Sequence, residues 1–484
     1  MSTFALWRLF HRPGTRGNAG HTSVLAIIAF AAATAIFLTV LGGVHGFIWR
    51  ASADHTIGCL FEPAQCAPGT YALWAKRLAD ANDPAMYASM YVMLAAFACI
   101  LLVVPFVALA GSAARLAASR RDQRLAALRL AGATQSQVVK LTALEAAGQA
   151  LIGALIGIVG YLALMPLIML LNFQNQHFTF EQLWVGPWAL IVVLLAVTIL
   201  ALVSALLTLR RVAITPLGVT SRQAQPLPAG SRALLFVGVL LVAIAGLSNL
   251  QLFAGLGTAV IYGIIFAFIA LPFALVNLIG AWTVSTRAKS RARRPKDAAT
   301  MIAMRRILDN PKRAWRNVSG IALAVFIAGI TSVCGMFGDS VAGADANGID
   351  PNMLMLRDIG TGGLLTLVFA AVLAAVSSGV MQAGSVYDQV NEYRMLVLEG
   401  TDTATLNKAR FIEVLTPLNV VVVVAGACSM LLMFPLMAQD MTHPITLLSF
   451  FGGVALCYAL VAVGALASNR VAASLNLMDY RADD

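Results

Sequence analysis

The chain has 484 residues, 60% of them hydrophobic and 11% charged, with a mean hydropathy of +0.82. That leaves too little polar surface to coat a soluble globule of this size, so the composition excludes a soluble fold and specifies a polytopic membrane protein. The net charge of +11 comes from basic residues dispersed over short loops, which membrane topology and anionic lipid explain better than nucleic acid does.

Residues 1–24 carry Arg8, Arg12 and Arg16 with Leu6, Trp7, Leu9 and Phe10 interleaved, the pattern of a short helix lying in the membrane interface. The apolar run that follows, about 25 residues, is longer than a signal-peptide core. Runs near or above the roughly 20 residues that cross a bilayer occur at about 25–49, 88–114, 146–171, 187–209, 233–250, 257–285, 317–338, 360–384, 414–437 and 446–468, predicting ten spans. An even number puts both termini on one side. With the termini in the cytoplasm, only Arg50, Lys76, Arg77 and Arg357 of the 33 Lys and Arg lie outside, while acids fall on both sides, as the positive-inside rule requires.

The external segment 50–87 is too short for a sizeable core of its own. It holds Cys59 and Cys66, the two of six cysteines outside the predicted spans. A disulfide between them is expected in an oxidising compartment, with two reduced thiols as the alternative. Cys99, Cys334, Cys428 and Cys457 read as small core hydrophobes.

Between the second and third spans runs a basic amphipathic stretch, 120–145. Leu125 and Leu128 share a helix face, and Arg120 and Arg124 line up at i,i+4 beside them. Gly132 can take the left-handed conformation that ends a helix; Thr134 and Gln137 have capping-box spacing for starting the next. A shift of 268 residues brings Leu128, Leu130, Gly132, Lys140 and Glu145 onto Leu396, Leu398, Gly400, Lys408 and Glu413. There Gly400 is the terminator and Asp402 the N-cap. The chain therefore reads as a tandem duplication, each copy presenting a helix–turn–helix knob to the cytoplasm.

Ala146, Ala150, Gly153, Gly157 and Gly160 make a small-residue stripe on the third span, which permits close approach of another helix. Their aligned positions are Val414, Leu418, Val421, Ala425 and Cys428, so the copies are not expected to pack alike. In the outer loop 172–187, His177, Phe178, Phe180 and Trp184, with Trp188 just beyond, suit an aromatic interface belt, a substrate site being the alternative. Arg210, Arg211 and Pro216 close the fourth span. Spans five and six, joined by a short turn at 249–255, read as a linker hairpin. Residues 286–316 are strongly basic and read as a second interface segment. The outer loop at about 339–359 carries Asp339, Asp345, Asp350 and Asp358; lacking the EF-hand order of ligands, it reads as a solvated loop rather than a cation site.

The chain has no phosphate loop, no H-E-x-x-H and no paired-cysteine zinc pattern, so neither a catalytic residue nor a metal site is expected. Almost no ionisable residue falls inside a predicted span, which argues against proton- or sodium-driven transport and for energy delivered from outside the membrane.

Residues 124–138, RLAALRLAGATQSQV, resemble the cytoplasmic signature of FtsX-like permeases, the membrane subunits of the MacB-type (type VII) ABC transporter superfamily. That signature runs roughly E-[IL]-x-x-[LM]-[RK]-x-[LI]-G-[AT]-[ST]; Leu125, Leu128, Arg129, Gly132, Ala133 and Thr134 match it. The family's acid is Arg124 in the first copy and returns as Glu392 in the second, where Val397 replaces the basic residue. RRVAITPLGV at 210–219 resembles the basic, Pro-containing tail that follows the fourth span.

The resemblance implies an all-α polytopic membrane protein of about ten transmembrane helices. Its parts would be a cytoplasmic amphipathic segment (1–24), a first four-helix repeat (25–231), a two-helix linker (232–286) and a second repeat (287–484). It implies a transport protein, multi-pass in the bacterial cytoplasmic membrane with both termini cytoplasmic. Two copies of a separate ABC ATPase would bind ATP and Mg, with no cofactor in this chain. They would push on Arg124, Leu125, Leu128, Arg129, Gly132 and Thr134 in one knob and on Glu392, Leu396, Gly400 and Asp402 in the other. Membrane lipid and a sensor kinase are the further partners; nucleic acid is not one. The expected activity is ATP-driven export or extraction of an amphipathic, lipid-like compound such as an antimicrobial peptide or antibiotic, hence efflux and resistance. The alternative is a mechanotransmission or signalling permease acting on an external hydrolase or a sensor kinase; the small outer segments favour direct handling of substrate.

Overall fold

A computed structural model describes residues 19–51, 90–103 with 106 and 109, 134–213 without 175, 230–335, 351–388, 395–396, 398–437 and 444–473. Among these, nine helices are long and apolar enough to cross a membrane, and a shorter apolar helix, Met90–Val103, stands where the second span is expected. The protein is an all-α polytopic membrane protein. The N-terminal segment and Cys59 and Cys66 lie outside the described residues.

In chain order, α1 (Ala19–Ala51), α2 (Met90–Val103) and α3 (Gln135–Met169) lead into a small hairpin. Its strands, β1 (Asn172–Phe173) and β2 (Gln176–His177), pair antiparallel with Asn172 opposite His177. A single turn, α4 (Phe180–Leu183), and α5 (Gly186–Ala213) follow. Then come α6 (Ser231–Ser248), a 3-10 turn (Leu250–Leu256) and α7 (Thr258–Arg293). The chain continues with α8 (Ala298–Asp309), α9 (Pro311–Gly335), α10 (Pro351–Asp388), α11 (Thr403–Met437) and α12 (Pro444–Ala473).

The small-residue stripe of α3 is a seam against α1. A Cβ on Gly153 would stand 2.6 Å from that of Phe30, and one on Gly157 2.6 Å from that of Thr34. Only glycine lets the two backbones come this near. Ala146, Ala150 and Ala154 are buried along the same seam, and α5 packs on α3 in turn.

In the second half α9 is the hub, packed against α10, α11 and α12, with Ala322, Ala324, Val325 and Phe326 wholly buried. α12 lies on α9 and α10 and barely meets α11, although the Tyr458 hydroxyl donates to Asn419 Oδ1. α6 and α7 both pack on α11, and α7 also on α8 and α9. The halves meet where α10 crosses α1, and where Phe97 of α2 stacks on Phe266 of α7 with ring centroids 4.3 Å apart.

Two expectations change. The basic stretch 286–316 does not lie free in the interface: α7 runs on to Arg293, and the apolar face of α8 (Ala299, Ala303, Met304, Ile307) is buried where that helix packs on α7 and α11. Burying Met304 and Ile307 contributes about 1.5–3 kcal/mol each, enough to draw the face onto protein. The second is the acidic outer loop. α10 begins at Pro351, inside it, and Asp358 is only 3% exposed.

Candidate functional site

Both ends of the helical body carry polar machinery. At one end Thr134 and Gln137 form the expected capping box: Gln137 N donates to Thr134 Oγ1 (3.4 Å), and Thr134 N donates to Gln137 Oε1 (3.1 Å). Two of the orphan N–H groups at the start of α3 are thereby satisfied. In the second copy Gly400 has φ +89°, and Thr401 N donates to Leu396 O (2.9 Å). This is the six-to-one bond of a Schellman turn, in which a left-handed residue ends one helix. The carbonyl of Asp402 then accepts from Leu406 N (3.1 Å), so Asp402 occupies the N-cap position of α11. α3 and α11 start at Gln135 and Thr403 and stop at Met169 and Met437, each pair 268 residues apart. Arg124, Leu125, Leu128, Arg129, Gly132 and Glu392 lie outside the described residues.

The base of α11 is fastened to the basic segment. Lys408 Nζ meets Asp297 Oδ2 at 2.8 Å, Arg306 pairs with Glu413 at 3.8 Å, and Arg291 Nη1 donates to Thr416 Oγ1 at 3.3 Å. The Lys408 ammonium holds the Asp297 carboxyl below its usual range. The Lys408–Asp297 pair is exposed and therefore weak, so the buried face of α8 supplies most of the adhesion. The base of α11, just beyond the turn at Gly400, is thus linked to α8 and α7.

At the opposite end sits a polar clasp. Arg50, near the end of α1, is completely buried. Its Nη1 donates to Phe173 O (2.8 Å) and Gln174 Oε1 (3.3 Å), its Nε to Gln182 Oε1 (3.1 Å) and its Nη2 to His177 O (3.0 Å). Its guanidinium carbon lies 4.2 Å from the centre of the Phe178 ring. Gln174 takes φ +56°, as the tight hairpin turn requires, and its N–H donates to Asp358 Oδ2 at 2.6 Å. The Tyr91 hydroxyl donates to the same oxygen at 2.8 Å, and Arg357 reaches Oδ1 at 3.1 and 3.3 Å. Gln174 thus ties α1 of the first half to α10 of the second. Hydrogen bonds to charged groups contribute about 1.5–3 kcal/mol each, so the clasp is a firm closure.

Little local announces this cluster, because apart from the adjacent Arg357 and Asp358 its partners are separated by 123 to 267 positions. Phe178, read as a belt residue, is buried under Arg50, whereas Phe180 and Trp188 are exposed as a belt demands. The one available signal was a charge at the end of a span. Among the described residues no three His, Cys, Asp or Glu side chains converge on a point.

Beneath the clasp lies a cavity of about 280 Å³, walled by α1, α2, α7, α9 and α10. Phe47, Phe97, Phe173, Phe178, Phe266 and Phe369 line it. Phe97 of α2 and Phe266 of α7, both in its lining, stack against each other on one side. A ring pair of this kind is worth about 0.5–1.5 kcal/mol. It is weaker than the charged hydrogen bonds of the clasp.

Residues 93–217, from α2 through α5, match the family model described as FtsX-like permease C-terminal. This stretch is an FtsX-like permease domain. The FtsX-like domain contains the capping box at Thr134, the glycine seam of α3 and the hairpin that carries Gln174. No curated protein matches the chain. The match at 93–217 points to a transport protein with an ABC-transporter permease role, a family that works with an ATPase.

Proposed function

We propose that the chain is the permease of a MacB-type ABC exporter in the bacterial cytoplasmic membrane, with both termini in the cytoplasm. It works with two copies of a separate ATPase, which hold ATP and Mg. The observation that carries this reading is the pair of capped turns at the same end of α3 and α11, in register over 268 residues, one of them inside the FtsX-like domain. ATP can shift the permease only through contacts that differ between its two states. Rigid turns at a fixed place on two long helices are suited to making such contacts.

One surface comprises Arg124, Leu125, Leu128, Arg129, Gly132 and Thr134; the other comprises Glu392, Leu396, Gly400 and Asp402. α3 has 35 residues, so it reaches about 50 Å from its cap to the hairpin end. Motion imposed on the cap travels along the seam with α1 towards Arg50 and the clasp. The substrate is an amphipathic or lipid-like compound such as an antibiotic or antimicrobial peptide, a choice supported by the apolar cavity between the halves.

The test is capture of the ATPase by the tagged permease, together with drug susceptibility of cells carrying each variant. Gly132→Trp combined with Gly400→Trp is expected to abolish both capture and resistance; both unchanged would overturn the coupling assignment. Arg129→Glu should weaken capture more than Val397→Glu. ATP turnover with no compound moved would instead point to mechanotransmission.

A further inference from the structure

Five polar side chains among the described residues reach the wall of the cavity beneath the clasp: Thr39, Tyr91, Thr331, Asp358 and Thr366. Each is already engaged. The hydroxyls of Thr39, Thr331 and Thr366 turn back one helical turn and donate to the carbonyls of Ala35 (2.8 Å), Ile327 (2.9 Å) and Gly362 (2.8 Å). Tyr91 donates to Asp358, whose oxygens also receive the Gln174 N–H and two contacts from Arg357. A carboxylate offers about four lone-pair sites, and these four donors occupy them. A charged or strongly hydrogen-bonding group entering the cavity would lose its hydration and meet no open partner in exchange.

The rest of the wall is hydrocarbon, much of it aromatic. Phe47 sits among the Tyr91, Phe173 and Phe178 rings with centroids 5.4–5.7 Å away. Gly43 faces open space, with no atom within 4 Å of where a Cβ would stand. The volume of about 280 Å³ compares with roughly 150 Å³ for an engineered cavity that holds one benzene. Two rings fit; an entire peptide does not.

We infer that this cavity is a binding site for one neutral hydrocarbon group, of two-ring size or the equivalent length of acyl chain, with any polar part of the molecule left outside. Entry is lateral, between α2 and α7, where the Phe97–Phe266 stack is displaced more easily than the charged hydrogen bonds of the clasp. The inference rests on the proposed permease role for its meaning in transport, but binding is measurable without the ATPase.

The test irradiates the purified chain in lipid nanodiscs with 1-azidonaphthalene, with the sulfonate derivative of that compound, or with hexadecanoic acid carrying a mid-chain diazirine. Labelled peptides are then mapped by mass spectrometry. The azidonaphthalene or the fatty acid is expected to label the segments around Gly43, Phe97 and Gly362; labelling by rings alone identifies a planar aromatic source, and labelling by the chain alone a lipid. The anionic sulfonate is expected to label these segments about tenfold less.

Gly43→Leu fills the space and lowers labelling about tenfold, whereas Gly238→Leu, at an equally open glycine on the exposed face of α6, leaves it unchanged. Thermal unfolding checks that each variant folds. If Gly43→Leu does not, Gly362→Leu fills the cavity from α10, its Cβ 3.6 Å from the Phe173 ring. Equal labelling by the sulfonate probe, or full labelling in a folded cavity-filling variant, overturns the inference. Labelling without any ATP-driven transport would overturn the permease reading alone, and transport by a chain that none of the probes labels at the cavity would overturn this inference alone.

Discussion

The third helices of the two halves, α3 and α11, have the same length and corresponding ends, yet they are packed by opposite means. α3 meets α1 through Gly153 and Gly157, where no side chain intervenes. α11 carries Val421 and Ala425 at those places, and Leu418 and Val421 are buried. The neighbours differ: α5 packs on α3, whereas α12 lies on α9 and α10 and barely meets α11. Helix length is kept between the halves, while the glycines that admit close approach sit on α3 itself in the first and on α9, where Gly329 faces Ser429 of α11, in the second.

The comparison breaks most directly if the residue of α11 is written into α3. In Gly153→Val the new Cβ stands 2.6 Å from Phe30 Cβ and 2.8 Å from Ile27 O. Overpacking against backbone should cost about 3 kcal/mol, read as a lowered unfolding midpoint in detergent. An unchanged midpoint would mean that the seam is not what holds α1 to α3.

The caps give smaller effects. Gly400→Val, forced to hold φ +89°, should cost about 1–2 kcal/mol, and Thr134→Ala, which deletes one side of the capping box, about 1 kcal/mol. Hydrogen exchange in the first turns of α11 and α3 checks both; equal rates in variant and parent would show that these turns are held by something other than their caps.

Smallest is the Lys408–Asp297 pair. The pair lowers the carboxyl pKa from its usual 3.8, so its contribution is present above that value and lost as pH falls through the lowered one. The stability difference between the parent and Lys408→Ala should therefore be constant from pH 7 to 5 and vanish in strong acid. A difference that grew on acidification would reverse the sign of the assignment.

How much was legible beforehand follows from the range of each interaction. Gly400, and Thr134 with Gln137, were readable because caps are made within a few residues. The stripe at Gly153 and Gly157 announced a close helix contact but not that α1 would fill it. Amphipathicity in α8 showed an apolar face; that protein rather than lipid covers the face depends on α7 and α11. Tyr91 and Gln174 carried no local sign, and Arg50 only that of a charge at the end of a span, since each finds its partners in a distant span or loop.

By itself, the sequence determined the membrane class, the run of apolar helices, the 268-residue correspondence of α3 and α11 and the capped turns. Those properties are set by the transfer of continuous apolar runs out of water and by hydrogen bonds that close within one turn of chain. Only the tertiary structure decided which helix lies in the glycine seam, where α12 settles, and that a buried arginine and a buried aspartate hold one hairpin over an apolar cavity. These depend on which surfaces meet across the two halves, and no stretch of sequence contains both sides of such a contact.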